Sequence, residues 1–178
     1  MSLLKFLGLV SNQDDRSSSS SDVNSIRRIS RELEQMEPER ARYLAAFAYL
    51  LGRVAHADLD VSDEETRAME EIVRSKSELP EAQAVLIIEI AKQQNRLFGH
   101  VENFLVTREF DNLADQKQKL GLLDCLFAVS AADESVSTVE DREIRQIASE
   151  LRLGHRDFIR VRSRYREFLD VLKKPDQD

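Results

Sequence analysis

A chain of 178 residues with 42% hydrophobic and 33% charged side chains, 5 Gly, 3 Pro and no Trp has the composition of an ordinary globular protein. At this length a chain removes roughly 70% of its unfolded surface from water, so one domain with its own core is expected. The single cysteine excludes an internal disulfide, and with three scattered histidines it excludes the usual zinc spacings. The balance of 33 acidic against 26 basic residues, net −7, argues against general phosphate-backbone binding. No apolar run approaches the roughly 18 to 20 residues of a spanning helix. Nucleic acid is therefore not an expected partner, and a reducing, cytoplasmic location is expected, either free or peripheral to the inner membrane face.

The first ten residues, MSLLKFLGLV, are apolar apart from Lys5 and lack the basic lead and cleavage site of a secretory signal. As a short helix they would present Leu3, Leu4, Phe6, Leu7 and Val10 to a membrane surface or a partner; otherwise they are a frayed terminus. The polar run from Ser11 to Ser25, with serine at every position from 17 to 21, reads as a flexible linker. The expected organisation is an apolar segment plus linker over residues 1–24 and a helical domain over 25–174.

Ile26, Ile29, Leu33 and Met36 recur at helical spacing, and Glu37-Pro38 ends that helix. Pro38 suits the first turn of the next, where Leu44, Phe47, Leu50, Leu51 and Val54 form a wide apolar face and predict a central position. A third helix is predicted from about Ser62 into the Arg74 region, with Met69, Ile72 and Val73 inward. A fourth starts near Pro80, continues VLIIEI beyond strand length, and is expected to stop near Gly99. Val101, Phe104, Leu105 and Phe110 predict a short helix, and Leu120 to Val129 a long apolar one with Cys125 as a buried, inert thiol. Another spans Ser137 to about Leu151. The last is predicted to run on to Leu172, with Phe158, Val161, Tyr165, Phe168 and Leu172 on one stripe and Arg156, Arg160 and Arg164 on another. The prediction is an all-α bundle of seven or eight helices.

Shifting the chain by 75 residues lays AHADLDVSDEETRAMEEI over SAADESVSTVEDREIRQI. Ala57, Asp58, Val61, Ser62, Glu65, Arg67 and Ile72 meet Ala132, Asp133, Val136, Ser137, Glu140, Arg142 and Ile147, and Leu51 and Val54 in the preceding helix meet Leu126 and Val129. Two copies of one helix-loop-helix unit, giving two similar halves about a pseudo-twofold axis, explain the match economically. Each copy restarts at Ser-x-x-Glu, the capping-box pattern. Ser62 and Ser137 are therefore expected to accept from the N–H three residues on, while Glu65 and Glu140 reach back.

Capping leaves Asp58 and Asp133 unexplained, because a carboxylate at a helix C-terminus meets the negative end of the dipole. Either each faces the N–H groups that open the next helix, which would fix the turn, or the loops hold a divalent cation. In the second case Asp58, Asp60, Glu65, Asp133 and Glu140 offer hard oxygen ligands suited to calcium, magnesium or manganese. Asp58 to Glu65 is too short for an EF-hand loop and lacks its central glycine.

The duplicated A-D-x-x-V-S-x-x-E unit, after YLLGRVAHAD and again after LLDCLFAVSAAD, resembles the tellurite-resistance TerB-like family over about Arg40 to Phe168. The resemblance implies an all-helical fold with two similar halves and an acidic surface proposed to hold a divalent metal. It further implies a link to tellurite and general stress resistance without an established reaction. The acids matching by position are Asp58, Glu65, Asp133 and Glu140. The family commonly has glycine after each aspartate, where this chain has Leu59 and Glu134, and Ser135 stands where the first copy has Asp60. A related domain precedes a J-domain in membrane-anchored co-chaperones, but this chain has no His-Pro-Asp tripeptide.

These features lead to a non-enzymatic protein that binds a divalent cation, partner proteins or both through its acidic loops. The alternative is an adaptor with structural acidic turns, tethered by its N-terminal segment. Protein partners, including membrane-associated ones, and a second copy of the chain are the expected company. A hydrolase using Asp58 or Asp133 with His56 as base is disfavoured because Ala131 stands where His56 would recur. His100 and His155 adjoin Gly99 and Gly154 and read as helix boundaries. Arg152, Arg156, Arg160, Arg162, Arg164 and Arg166 are interleaved with Asp157, Glu167 and Asp170 and read as a solvated face.

Overall fold

The computed structural model describes residues 20–55, 62–93 and 103–173. Among them the chain forms eight α-helices: α1 (Ser20–Glu34), α2 (Pro38–Ala55), α3 (Asp63–Ser77), α4 (Glu81–Lys92), α5 (Asn103–Leu113), α6 (Gln116–Ser130), α7 (Thr138–Glu150) and α8 (His155–Ser163). Short 3₁₀ turns follow at Ala131–Asp133, Arg166–Phe168 and Asp170–Leu172. The all-α prediction holds.

Helix α2 is apolar on every side, and Ala41, Leu44, Ala45, Ala46, Phe47, Ala48, Leu50 and Leu51 are wholly buried. It packs against α1, α4, α5, α6 and α7. Tyr43 and Phe47 close on Phe110 of α5, with ring centroids 5.2 and 6.0 Å apart. The second buried axis is α6, whose Leu122, Leu123, Cys125, Leu126 and Phe127 have no exposure. Phe127 in turn stacks on Tyr165 at 5.6 Å. Burial pushes the Cys125 thiol above its ordinary value, with Asp124 adding to the shift, which suits an inert core residue.

Helix directions follow from specific contacts. Lys117, Gly121 and Cys125 along α6 meet Glu78, Lys76 and Val73 at and before the end of α3, so the two helices run antiparallel. Gly121 permits the approach, since a Cβ there would stand 3.2 Å from the Lys76 carbonyl oxygen. The C-terminal end of α6 therefore lies toward the N-terminal end of α3. Helix α3 is also joined to α4, where Lys92 near the end of α4 donates to Thr66 at 3.1 Å.

Three boundaries differ from the periodicity. Helix α1 begins at Ser20, inside the run read as linker to Ser25 and before the expected domain start at residue 25. Helix α4 ends at Lys92 rather than near Gly99: its last buried residue is Ala91, and the following Gln-Gln-Asn-Arg offers nothing apolar to bury. Gln93 N–H closes the end on the Ile90 carbonyl at 3.1 Å. Helix α8 stops at Ser163 although the apolar stripe continues, because long-range contacts of Tyr165 and Leu169 replace further helix. Leu172, the predicted end of that stripe, is exposed.

Charged residues cross the core where their partners converge. Arg53, 5% exposed, joins α2 to α7 through Glu143 and, at 3.0 Å, Glu150, and it reaches Thr107 of α5 at 3.3 Å. Burial pushes the Glu150 carboxyl up, but hydrogen bonds with Arg53, Thr107 and Gln146 outweigh it and hold the group below its ordinary value. A depressed carboxylate stabilises the fold above its unfolded pKa and loses that contribution as pH falls through the folded pKa. Arg53→Met is expected to lower stability at pH 7 by about 3 kcal/mol, by leaving two carboxylates uncompensated. Thermal melts should show that gap narrowing as the buffer approaches roughly pH 4, where glutamates protonate.

Candidate functional site

Both copies of the repeated motif start a helix with the same hydrogen-bond pattern. Ser62 Oγ accepts from the Glu65 N–H at 3.2 Å, and Glu65 Oε2 accepts from the Ser62 N–H at 2.8 Å. Ser137 Oγ accepts from the Glu140 N–H at 3.2 Å, and Glu140 Oε2 accepts from the Ser137 N–H at 2.9 Å. In each pair the serine hydroxyl also donates to that Oε2, at 2.8 and 2.7 Å. The two hydrogen bonds from Ser62, backbone N–H first, hold the exposed Glu65 carboxyl below its ordinary value. Two of the five predicted ligand residues, Glu65 and Glu140, thus serve as reciprocal caps.

The second turn shows where its aspartate points. Ala131–Asp133 form a 3₁₀ turn at the end of α6, and Asp133 Oδ1 accepts the Ser135 N–H at 3.2 Å. The aspartate is compensated locally, but by an N–H inside the turn rather than by those opening the next helix, where the Glu140 N–H is taken by Ser137. Glu134 then takes a left-handed backbone, φ 66°. This backbone costs about 1 kcal/mol for a side chain with a Cβ. Asp58, Asp60, Leu59 and His56 lie outside the described residues, as do His100 and residues 1–10.

The C-terminal chain completes this turn, which sequence spacing did not anticipate. Val136 N–H donates to the Phe168 carbonyl at 2.7 Å, and Asp170 N–H donates to the Val136 carbonyl at 3.0 Å. Val136 and Leu169, paired in a parallel bridge, are both buried. Ser135 Oγ donates to Asp170 Oδ1 at 2.7 Å. Lys173 Nζ contacts that same oxygen at 2.9 Å and the Glu134 carbonyl at 3.4 Å. Hydrogen bonds from Lys173 and Ser135 hold the Asp170 carboxyl below its ordinary value.

Helix antiparallelism places this turn and the start of α3, with Ser62 and Glu65, toward one end of the bundle. Among the described residues no three Asp, Glu, His or Cys side chains gather into a group able to hold a metal ion. The other buried acids are engaged with cations. Asp124 accepts from Tyr165 Oη at 2.7 Å and faces Arg164 at 3.2 Å and Lys76 at 3.6 Å. Asp141 receives a two-pronged pair from Arg162, at 2.7 and 2.9 Å. Arg162 is therefore largely buried, whereas Arg152, Arg156, Arg160, Arg164 and Arg166 are exposed, so of the six C-terminal arginines read as a solvated face Arg162 is the one that turns inward.

The family model described as tellurite resistance protein TerB matches residues 43–163, over half of the chain, from within α2 to the end of α8. Searches of curated proteins and of solved structures give no match.

Two substitutions at this turn should move stability in opposite directions. Ser137→Ala is expected to cost about 1 kcal/mol through loss of the cap. Glu134→Gly is expected to return a similar amount by relieving the left-handed residue, raising the melting temperature by roughly 2–4 °C. Differential scanning calorimetry of the two variants beside the unaltered protein checks both signs.

Proposed function

The chain belongs to the tellurite resistance protein TerB family, and on that premise we propose that it is a non-catalytic interaction module of tellurite and stress resistance. In this reading the acidic turns are structural and partner proteins are held on the outer helix surfaces. One observation carries it: the carboxylates of the second turn are engaged by that turn's own groups, Asp133 by the Ser135 N–H and Glu140 by Ser137. The apolar segment Met1–Val10 serves as the tether to a membrane surface or a partner, since five of its ten residues form one apolar face when helical.

A second reading, binding of calcium, magnesium or manganese through Asp58, Asp60, Glu65, Asp133 and Glu140, draws on the placement of the second turn and the start of α3 toward one end of the bundle. Calorimetric titration of each ion into chelator-stripped protein separates the two. The structural reading expects no saturable heat and similar melts for the protein and an Asp58→Asn, Asp133→Asn double variant. Saturable binding lost in that variant would replace the first reading with the second. Deleting residues 1–19 is expected to abolish localisation while leaving the melting temperature unchanged; retained localisation would remove the tether.

A further inference from the structure

The C-terminal segment brings a cation to the second acidic turn, where the Lys173 ammonium lies against Asp170 and the Glu134 carbonyl. We propose that the segment from Arg164 to Lys173 is a clasp that places the Lys173 ammonium where a metal ion would otherwise neutralise the turn, closing the Asp133 half of the motif to divalent ions. This rests on the structural reading of the acidic turns and extends it to the cause.

Two sets of contacts converge on the proposal. The backbone set fixes the clasp: the Val136 amide and carbonyl are both bonded to the segment, at 2.7 and 3.0 Å, and Leu169 is buried beside them. The rest of the segment is anchored upstream, where Tyr165 Oη reaches Asp124 at 2.7 Å. Burial, and next the hydrogen bond to Asp124, push the Tyr165 hydroxyl above its ordinary value, so it stays a neutral donor. The side-chain set defines what the clasp delivers. Asp170 bridges Ser135 and Lys173 at 2.7 and 2.9 Å, and the ammonium also addresses the Glu134 carbonyl.

A carboxylate and a loop carbonyl are the ligand types that calcium takes, at about 2.3–2.6 Å. Here one ammonium addresses both, and a second cation on the same oxygens would meet like charge at short range. Asp133 is meanwhile turned to its own Ser135 N–H. The donor set of this turn therefore does not fit a divalent ion while Lys173 is in place. Chain order explains why the motif alone does not disclose this: Lys173 lies 39 residues beyond Glu134 and outside the repeated unit.

The test is nuclear magnetic resonance of the full chain, following backbone amides during titration with calcium alone. In the unaltered protein the amides of Glu134, Ser135 and Val136 are expected to stay in place through millimolar calcium. In Lys173→Gln they are expected to move saturably, and in Lys173→Gln combined with Asp170→Asn, which removes the carboxylate that the ammonium covers, to stay in place again. Saturable movement of these amides in the unaltered protein would overturn the proposal. So would an unmoved Lys173→Gln variant whose spectrum shows the native fold, because the ammonium would then not be what closes the turn. Movement confined to residues 56–61 would count against the structural reading of the first turn, while the silence of residues 134–136 would agree with the clasp.

Discussion

Helix α2 has apolar side chains around its whole circumference, and such a helix is stable in water only when other elements enclose it. That requirement organises the rest of the molecule. Five helices pack on α2, with α5 contributing Phe110 and α6 adding a second buried axis beside it. Burying Phe47 or Leu50 is worth roughly 1.5–3 kcal/mol each. The outer helices can therefore be short and highly charged, as α3, α7 and α8 are, because their stability comes from the face they lay on α2 and α6 rather than from helix propensity.

An enclosed pair of helices also dictates where charge can enter. Arg53 and Asp124 sit on the two central helices, and each is surrounded by groups from other elements. Isolated, either would carry a desolvation penalty of several kcal/mol. Their partners orient the outer shell: Glu143 and Glu150 fix α7 against α2, while Tyr165 and Arg164 bring the chain after α8 onto α6. That second connection turns the final segment back toward the Asp133 turn, joining the core to the proposed clasp.

The functional reading follows from how acids are used. Acidic residues in a repeated pattern are compatible with a cation site and with helix capping, because both employ carboxylate oxygens. What separates them is the identity of the group each oxygen faces. At Glu65, Glu140 and Asp133 that group is a backbone N–H of the same turn. Family membership supplies the broad setting of tellurite resistance, and these contacts favour a module whose repeat builds turns.

The sequence by itself determined the helices, the central place of α2, the two capping boxes and the family. Each is written in interactions between residues a few positions apart, or in an apolar period that any buried helix must show. The left-handed backbone at Glu134 is a conformation that favours glycine. Helix ends were less legible: α1 starts inside a serine run, and α4 stops once its apolar residues are spent. Only the tertiary structure decided that α8 breaks at Ser163, that Arg162 turns inward to Asp141 while the other C-terminal arginines stay solvated, and that Lys173 meets the second turn. Those outcomes depend on partners 21 to 41 residues away, where no local period constrains the pairing. A buried charge takes its counter-ion from whichever element the packing of α2 and α6 brings within reach.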